Sequence, residues 1–325
     1  MSPKISVILT TYNGSSRGYL SSAIESVVTQ SYQNFELLII DDGSTDNTKK
    51  TCSSYLENDR IRYMYQENTG LAAARNSGIR ASSGEFLCFL DDDDVWKPVK
   101  LQRQFEFIEQ RLNGAGKWGL IFTWLELIDE QGKVVSYRGH HQEGWLYRSL
   151  LLGNTVDAPS SVLIRREVFD NVGLFDESFE NCQDWDMWLR ISKEYMIFPV
   201  KEYLVQHREH RNRISFDNEK IFHYENAVIK KALATAPADI SPRTVYASCY
   251  MNRSIGYFAA DEFQQFRKMF LKGLQLSFKP MRVEHIFLFL LSLFGRRSVH
   301  LTRTVKRYLQ QRMITHRYGN LGPYS

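Results

Sequence analysis

Four consecutive aspartates follow directly on an apolar stretch of the chain, in the segment FLCFLDDDDVW at residues 86–96. The apolar stretch is typical of a buried strand, whereas adjacent carboxylates repel one another and are costly to desolvate. Two explanations are open. The aspartates form a solvated turn in which Asp93 or Asp94 caps the next helix, or they hold a hard cation such as Mg²⁺ or Mn²⁺, which prefers carboxylate oxygens.

Two further groups of residues could take part in chemistry. Asp184 and Asp186 stand in QDWDMWLR, where a helix is predicted to begin. Residues two apart on a helix point to different faces, so only one of them is expected in a given site, and the alternative is that both favour the helix dipole. The segment HREHRNRIS carries His207, Arg208 and His210, and it is either a ligand-binding segment or a solvated basic loop.

The elements that would position these residues alternate between strand and helix. β-branched and apolar runs predict strands at residues 4–10, 34–41, 61–66 and 85–91, with helical periodicity between them. This alternation predicts an α/β fold with a mainly parallel central sheet and helices on both faces. Ligands bind at the carboxyl ends of such strands, and three polar stretches follow those ends, at 10–13, 41–42 and 91–94.

The rest of the chain predicts a second, helical region. A helix is expected after Pro98, a hairpin around EQGK, and helices from about residue 217 to the end. We predict a first domain at 1–215, with halves at 1–97 and 98–215, and a basic helical region at 216–325. The segment ATAPADISP is the only stretch with the composition of a linker.

Composition limits the class of protein. The chain has 325 residues, of which 43% are hydrophobic and 24% charged, as in globular proteins. Its four cysteines are widely spaced without a CxxC pair, which argues against a zinc site or a disulfide framework and favours a reducing compartment. The amino-terminal apolar run is too short for a signal peptide, and IFLFLLSLF is about half the length of a membrane span.

Six segments together resemble the family-two glycosyltransferases, which use nucleotide-diphosphate sugars and have the glycosyltransferase A fold. The resemblance covers about residues 3–215. The segments occur in the family's order and spacing; they are SVILTTYN, LLIIDDGSTD, NTGLAAARNSGI, GEFLCFLDDDDVWKP, SSVLIRREVFDNVGLFDE and QDWDMWLRIS. The resemblance implies an inverting transferase with a nucleotide-binding half at 1–97 and an acceptor half at 98–215.

The resemblance also implies roles for residues on the donor side. Thr10, Tyr12 and Asp42 match positions that hold the nucleoside, because a tyrosine can stack on a base and a carboxylate can accept from a uracil N–H. Arg75 would reach the nucleotide or its phosphates.

The aspartate run matches the family's DxD motif. Asp91 and Asp92 would contact the nucleotide sugar, and Asp93 would bind Mn²⁺ or Mg²⁺. Asp94 is expected to be a helix cap or to support the metal ligands. Because the four residues are adjacent, the register of the motif is open by one residue.

The remaining roles fall on the second half of the domain. Asp184 matches the catalytic base, with Gln183 where the family usually has glutamate, so the role of Gln183 is in doubt. Arg190 is expected to form a structural salt bridge. His210 would complete the metal shell and Arg208 would grip the diphosphate. The QxxRW signature of processive synthases is absent, which favours transfer of one sugar.

The last 41 residues predict a membrane contact. Residues 285–325 contain seven Lys or Arg and no Asp or Glu, which leaves a net charge of about −3 on residues 1–284. Together with the apolar run this suits a helix on an anionic membrane surface, predicted at 281–317, although packing of this region on the core is the alternative. We expect a cytoplasmic protein at the inner face of the membrane, a glycan or lipid-linked acceptor, and no nucleic-acid partner.

Two other functions compete with sugar transfer. A sugar nucleotidyltransferase would need a glycine-rich basic loop after the first strand, and TYNGSSRG fits poorly; a dehydrogenase would need GxGxxG there. A non-catalytic sugar-nucleotide or glycan-binding protein is possible because folds are reused. The presence of both Asp93 and Asp184 argues against it.

Overall fold

The computed structural model describes residues 4–114, 116–210, 218–281 and 283–293. Contacts within the chain divide it into two units: one runs to Leu146 and includes Val156–His210, and the other contains Tyr147–Thr155 and the described residues after 217. The predicted boundary at 215 falls on residues 211–217, outside the described residues.

Nine strands form one sheet in the described part of the first unit. They are β1 (Ile5–Thr11), β2 (Phe35–Asp42), β3 (Ile61–Gln66), β4 (Phe86–Asp91), β5 (Val95–Trp96), β6 (Trp118–Ile128), β7 (Val134–Arg138), β8 (Val162–Arg165) and β9 (Met196–Arg208). Their order is β3-β2-β1-β4-β8-β6-β9-β5, and β7 pairs with β6. Strands β3, β2, β1 and β4 are parallel, and β6 is parallel to β9. The other pairs are antiparallel, including β4 with β8 and the predicted hairpin β6–β7.

The helices of the first unit lie between these strands. They are α1 (Gly14–Arg17), α2 (Leu20–Val28), α3 (Thr48–Ser53), α4 (Leu71–Ala81), α5 (Lys100–Phe107), α7 (Arg166–Val172) and α8 (Gln183–Glu194). A π-helical turn, Ile108–Leu112, continues α5, and a 3₁₀ turn, Pro159–Ser161, precedes β8. Helix α5 begins after Val99, so Pro98 lies just outside the helix rather than in its first turn.

Helices cover both faces of the parallel half, which explains why its strands are apolar throughout. Val7 and Leu9 of β1 belong to the same core cluster as the buried side chains of α2. The alternate residue, Ile8, faces α4, where a Cβ on Gly78 would come within 2.3 Å of it. Strands covered on both faces lose the polar alternation of a half-exposed strand. The predicted α/β fold is confirmed.

The second unit is helical, as predicted. It contains α6 (Tyr147–Leu152), α9 (Asn218–Leu233), α10 (Pro242–Ala259), α11 (Phe263–Leu276) and α12 (Val283–Leu293). The ATAPADISP segment joins α9 to α10 inside this unit, so it is a loop between helices and not a linker between domains. None of the helices in the described ranges has the length and apolar character that crossing a membrane requires.

Helix α6 joins this unit through hydrogen bonds to later helices. The Tyr147 hydroxyl donates to the carbonyl of Ala232 at 2.9 Å. The Leu152 carbonyl accepts from Ser248 Oγ at 2.6 Å and from Asn252 Nδ2 at 2.8 Å. A six-residue helix is too short to show its partners through periodicity, so sequence patterns could not assign it to the second unit.

Candidate functional site

The carboxyl ends of β1, β2 and β4 form one rim of the sheet. In the parallel register Thr10 pairs with Asp91, and Thr11 pairs with Asp41. Thr10 is buried, whereas Tyr12, the first residue after β1, is 49% exposed. The strand register therefore brings the predicted polar residues of three strands together.

The four aspartates point to four different sets of partners. Asp91 accepts from Arg75, Asp92 from Thr11 and Arg17, Asp93 pairs with His210, and Asp94 binds His207 and the backbone of Arg208. Because the chain makes a turn here, adjacent side chains point in different directions, and each carboxylate contacts its own cationic or hydrogen-bonding group. The cluster is therefore neither a row of solvated charges nor a single cage.

Buried Arg75 and partly exposed Asp91 form an ion pair on the rim. Arg75 is 2% exposed, and its Nη2 lies 2.7 Å from Asp91 Oδ1. Its guanidinium carbon lies 5.6 Å from the centre of the Phe175 ring. The buried Nε of Arg75 has no hydrogen-bond partner among the described residues. A buried guanidinium with unused donor capacity can bind an anionic ligand.

Asp92 is held by residues of β1 and α1. Thr11 Oγ1 donates to Asp92 Oδ2 at 2.5 Å, and Arg17 Nη2 donates to the same oxygen at 2.6 Å. Burial raises the pKa of Asp92 to about 7, with Asp93 and Asp91 adding to the effect and Arg17 and Thr11 opposing it. Sequence reasoning gave Arg17 no role, although it is the only cation in the loop after β1.

The Asp93 carboxylate and the His210 imidazole lie next to each other, where both could bind one metal ion. Their Oδ2 and Nε2 atoms are 2.9 Å apart, and both side chains are largely buried. The described residues contain no group of three or more His, Cys, Asp or Glu side chains that could hold a metal ion. This pair thus fits a divalent ion that takes its other ligands from water and substrate phosphates, as Mg²⁺ commonly does, and not a complete protein cage.

Arg208 is bound to backbone carbonyls. Its Nε donates to the carbonyl of Asp93 at 3.0 Å, and its Nη1 donates to those of Asp129 and Glu130 at 3.0 and 3.2 Å. Its guanidinium also lies 4.2 Å from the centre of the Tyr19 ring. These contacts join the end of β9 to the aspartate turn and to the β6–β7 hairpin.

Asp94 ties the end of β9 to the aspartate turn and caps no helix. It is fully buried, and its carboxylate meets His207 Nδ1 at 2.9 Å and the Arg208 amide at 3.0 Å. The expectation that Asp93 or Asp94 caps the next helix is wrong. Val99 occupies the cap position of α5, several residues later, and no side chain caps it.

Asp42 holds the loop between β3 and α4. Its carboxylate accepts from Gln66 Nε2 at 2.8 Å and from the amides of Thr69 and Gly70 at 3.0 and 2.9 Å. Asp42 is buried, and its carboxylate accepts these hydrogen bonds from the protein itself. Its neighbour Asp41 accepts from the Tyr63 hydroxyl at 2.5 Å.

Asp184 stands in the first turn of α8, which follows Cys182 in a left-handed conformation with φ of 60°. Burial raises the pKa of Asp184, nearby Arg75 lowers it, and Asp91 raises it again. Asp184 is therefore close enough to Arg75 and to Asp91, the last residue of β4, to interact with both electrostatically. A carboxyl group with a raised pKa near this rim of the sheet is suited to proton transfer.

Asp186 points elsewhere. Its Oδ2 lies 2.9 Å from Arg190, whose guanidinium also donates to the carbonyls of Val172 and Leu174. The expected structural role of Arg190 is confirmed. Ser160, which sequence reasoning missed, accepts from the Asp91 amide at 3.1 Å beyond the last β4–β8 pair, and no local pattern marks it.

Comparison with known proteins identifies a family. Residues 6–173 match the family described as "Glycosyl transferase family 2". The chain is 33% identical over 221 residues to "Putative teichuronic acid biosynthesis glycosyltransferase TuaG" of Bacillus subtilis, covering 67% of this chain and 84% of that protein. It is 32% identical over 219 residues to an uncharacterized glycosyltransferase of Rickettsia prowazekii, covering 64% of this chain and 65% of that protein. It spans less than two thirds of that relative's length.

Solved structures share the fold. TarS residues 1–349 of S. aureus in complex with UDP superpose with a TM-score of 0.58 at 17% identity, over 93% of this chain and 92% of that one. The mannosyltransferase PcManGT of Pyrobaculum calidifontis, in complex with GDP-Man and Mn²⁺, gives 0.55 at 14% identity, over 90% and 85%.

Proposed function

Because the chain belongs to glycosyl transferase family 2, we propose that it moves one sugar from a nucleotide-diphosphate sugar to an acceptor hydroxyl. The reaction is a metal-assisted single displacement with inversion at the anomeric carbon, carried out on a fold of the glycosyltransferase A type. Residues of the first unit supply the donor site, the metal ligands and the base.

One observation carries this proposal. Arg75 is hydrogen-bonded to Asp91 at the end of β4, and both residues influence the pKa of Asp184 at the start of α8. A displacement reaction needs a donor-binding group and a base on opposite sides of one sugar. The proximity of the aspartate run and Asp184 supports their use in one reaction.

The nucleoside would lie over the ends of β1 and β2. Exposed Tyr12 offers a ring for stacking on a base, and buried Thr10 lies near the end of β1. Asp42 fixes the loop of residues 66–70 beside them, and a uracil N–H would have to share a carboxylate that already accepts bonds from this loop.

The diphosphate would be bound between Arg75 and the aspartate turn. The unused Nε of Arg75 supports a contact with phosphate, and Asp91 and Asp92 would contact the sugar or ribose hydroxyls. Arg208, whose guanidinium binds the Asp93 and hairpin carbonyls, would contribute its remaining donor capacity to the diphosphate.

Asp93 and His210 would hold Mn²⁺ or Mg²⁺. When bound, such an ion neutralises charge on the diphosphate leaving group. The fit rests on the paired carboxylate and imidazole described above. PcManGT, which shares the fold, is described in complex with Mn²⁺, which agrees with this assignment.

Asp184 would accept the proton of the acceptor hydroxyl. Its raised pKa makes it a stronger base than an ordinary aspartate, and Arg75 keeps the ionised form accessible. Inversion predicts that the new glycosidic bond has the anomeric configuration opposite to that of the donor, which NMR of the product measures directly.

A UDP-hexose is the proposed donor and a lipid-linked or surface-polysaccharide glycan the proposed acceptor. TarS is described in complex with UDP, and the Bacillus relative carries teichuronic acid biosynthesis in its name. We also propose a peripheral membrane location at the cytoplasmic face. Most of the predicted membrane segment 281–317 lies outside the described residues.

The test compares transfer and nucleotide binding in matched variants. Wild type, Asp184→Asn, Asp93→Asn and the exposed control Asp170→Asn are assayed with UDP-, GDP- and dTDP-sugars and Mn²⁺. Loss of a general base costs about 10²–10⁴ in rate, so Asp184→Asn should lose transfer and keep UDP binding in calorimetry. Asp93→Asn should lose metal-dependent binding, and Asp170→Asn should match wild type.

Full activity in Asp184→Asn would remove the base assignment. Nucleotide binding by wild type without transfer from any of these donors would favour the non-catalytic binding function. Release of pyrophosphate from a nucleoside triphosphate and a sugar phosphate would indicate a nucleotidyltransferase.

A further inference from the structure

Helix α12 of the second unit has one face packed against α11. The ring of His285 stacks on Phe270 with centroids 6.0 Å apart, and Phe289 meets the same ring at 5.4 Å. Arg267 Nη1 donates to the carbonyl of Ser292 at 2.6 Å. Leu288 is buried in the same cluster. These contacts fix which side of α12 faces inward.

The opposite side of α12 is exposed and apolar. The exposed residues are Val283 at 79%, Ile286 at 43%, Phe287 at 43%, Leu290 at 52% and Leu293 at 59%. They follow a spacing of three and four, which places them on one helix face. At 1.5 Å per residue this face is about 15 Å long. Phe278, just before the helix, is 69% exposed.

This pattern reverses that of an ordinary surface helix, which points polar residues at solvent. Exposed apolar patches of this kind mark binding surfaces. These five residues are called the outer face of α12. This face is therefore expected to bind a partner.

Positive charge flanks the outer face along the chain. Lys272 and Lys279, both exposed, precede it. After it, residues 294–325 contain seven cations and no acid: Arg296, Arg297, Arg303, Lys306, Arg307, Arg312 and Arg317. Apolar side chains bordered by cations match the chemistry of a lipid surface with anionic headgroups.

We propose that the outer face of α12 inserts into the headgroup region of an anionic lipid bilayer. The proposal rests on the peripheral membrane location proposed above and names the surface for it. It does not depend on sugar transfer, because the transfer residues belong to the first unit. Two copies of this chain would bring two strongly basic segments together, so charge repulsion disfavours a second copy as the occupant.

Vesicle flotation of the full chain tests this proposal. Wild type is mixed with vesicles of phosphatidylcholine alone or with phosphatidylglycerol added, and compared with Ile286→Asp/Leu290→Asp. The control Leu56→Asp/Val135→Asp replaces residues of matched exposure, 41% and 57%, in the first unit. Because all four side chains are exposed, the variants should fold, which circular dichroism checks. Ile286→Ser/Leu290→Ser repeats the test without added charge.

We expect wild type and the control to float with anionic vesicles and not with phosphatidylcholine alone, and both α12 variants to lose at least tenfold in partitioning. Raising salt should weaken binding of wild type. Failure of wild type to bind anionic vesicles, or equal binding by the α12 variants, overturns the proposal. The proposal is also overturned if wild type forms a concentration-dependent dimer instead of binding vesicles, and the α12 variants abolish that dimer. Since flotation needs no sugar donor, these outcomes are independent of transfer activity.

Discussion

Arg75 connects the two groups of carboxylates on which the proposed reaction depends. It is hydrogen-bonded to Asp91 and lowers the pKa of Asp184, which burial raises. A base acts only when ionised, so its pKa sets the acid limb of the rate profile. One guanidinium thus affects both the donor side and the acceptor side of the site.

Replacing Arg75 should move this acid limb. In wild type kcat/KM should rise with pH through a pKa above the ordinary aspartate value of about 3.9. Arg75→Gln removes the cation that lowers the Asp184 pKa, so the midpoint should move to higher pH. Arg80→Gln, an exposed change on the same helix, is the control. An unchanged midpoint in Arg75→Gln would mean that another group sets the limb.

His210 provides the second test at this scale. Its imidazole lies 2.9 Å from Asp93, so His210→Asn should raise the Mn²⁺ concentration needed for half-maximal activity by about tenfold or more. Chelation should abolish transfer in wild type, and added Mn²⁺ should restore it. His223→Asn, at an exposed position of α9, is the control. An identical Mn²⁺ titration for His210→Asn would exclude His210 as a ligand.

The aspartate run could be identified as a site from sequence, but the partner of each aspartate could not. Thr11 is 81 residues from Asp92 and His210 is 117 from Asp93. Local patterns carry no information on such pairs, because the fold alone brings them together. The same limit explains why sequence patterns missed Arg17 and Ser160 and left a helix cap open as one of two roles for Asp94.

At the scale of elements, Glu36 joins β1, β2 and the turn before β4. It accepts from Ser6 Oγ at 2.6 Å, from the Ser83 amide at 2.7 Å and from Lys4 Nζ at 3.1 Å. Burial alone would raise the pKa of Glu36, but these hydrogen bonds hold it at about 2. A buried carboxylate therefore stabilises the start of β1 and β2, two of the three strands that end at the rim.

Glu36→Gln should destabilise the chain by about 1–3 kcal/mol at neutral pH, since charged hydrogen bonds are lost. The carboxylate's contribution is present above the ordinary pKa and disappears as pH falls through the folded-state value of about 2. The difference between wild type and variant in urea unfolding should therefore shrink between pH 5 and pH 2. Glu57→Gln, at an exposed position, should have little effect. A constant difference across this range would contradict the role of the charge.

Sequence patterns predicted the parallel half of the sheet well and the other half less completely. Strands β1, β2 and β4 are long apolar runs, whereas β5 has two residues and β8 four. Such short segments show no periodicity, and their pairing depends on contacts with β6 and β9 far along the chain. Apart from the β6–β7 hairpin, the antiparallel pairs could not be predicted for this reason.

For the whole molecule, donor binding should appear as a gain in stability. A ligand that binds only the folded state adds about 2.7 kcal/mol at one hundred times its Kd. UDP with Mn²⁺ should raise the unfolding temperature of wild type and Asp170→Asn in calorimetry, and should not raise that of Asp93→Asn. A shift in Asp93→Asn equal to that of wild type would place nucleotide binding outside the aspartate turn.

The chain passes between its two units more than once, because Tyr147–Thr155 leaves the first unit and returns to it. This path of the chain limits which chimeras with related proteins can fold. A single crossover at residue 210 would separate α6 from the carbonyl of Ala232 and from Ser248 and Asn252, its hydrogen-bond partners. A chimera with a new carboxyl-terminal region must therefore exchange two segments together. Acquisition of this unit by a single fusion at the carboxyl end of the first unit is disfavoured.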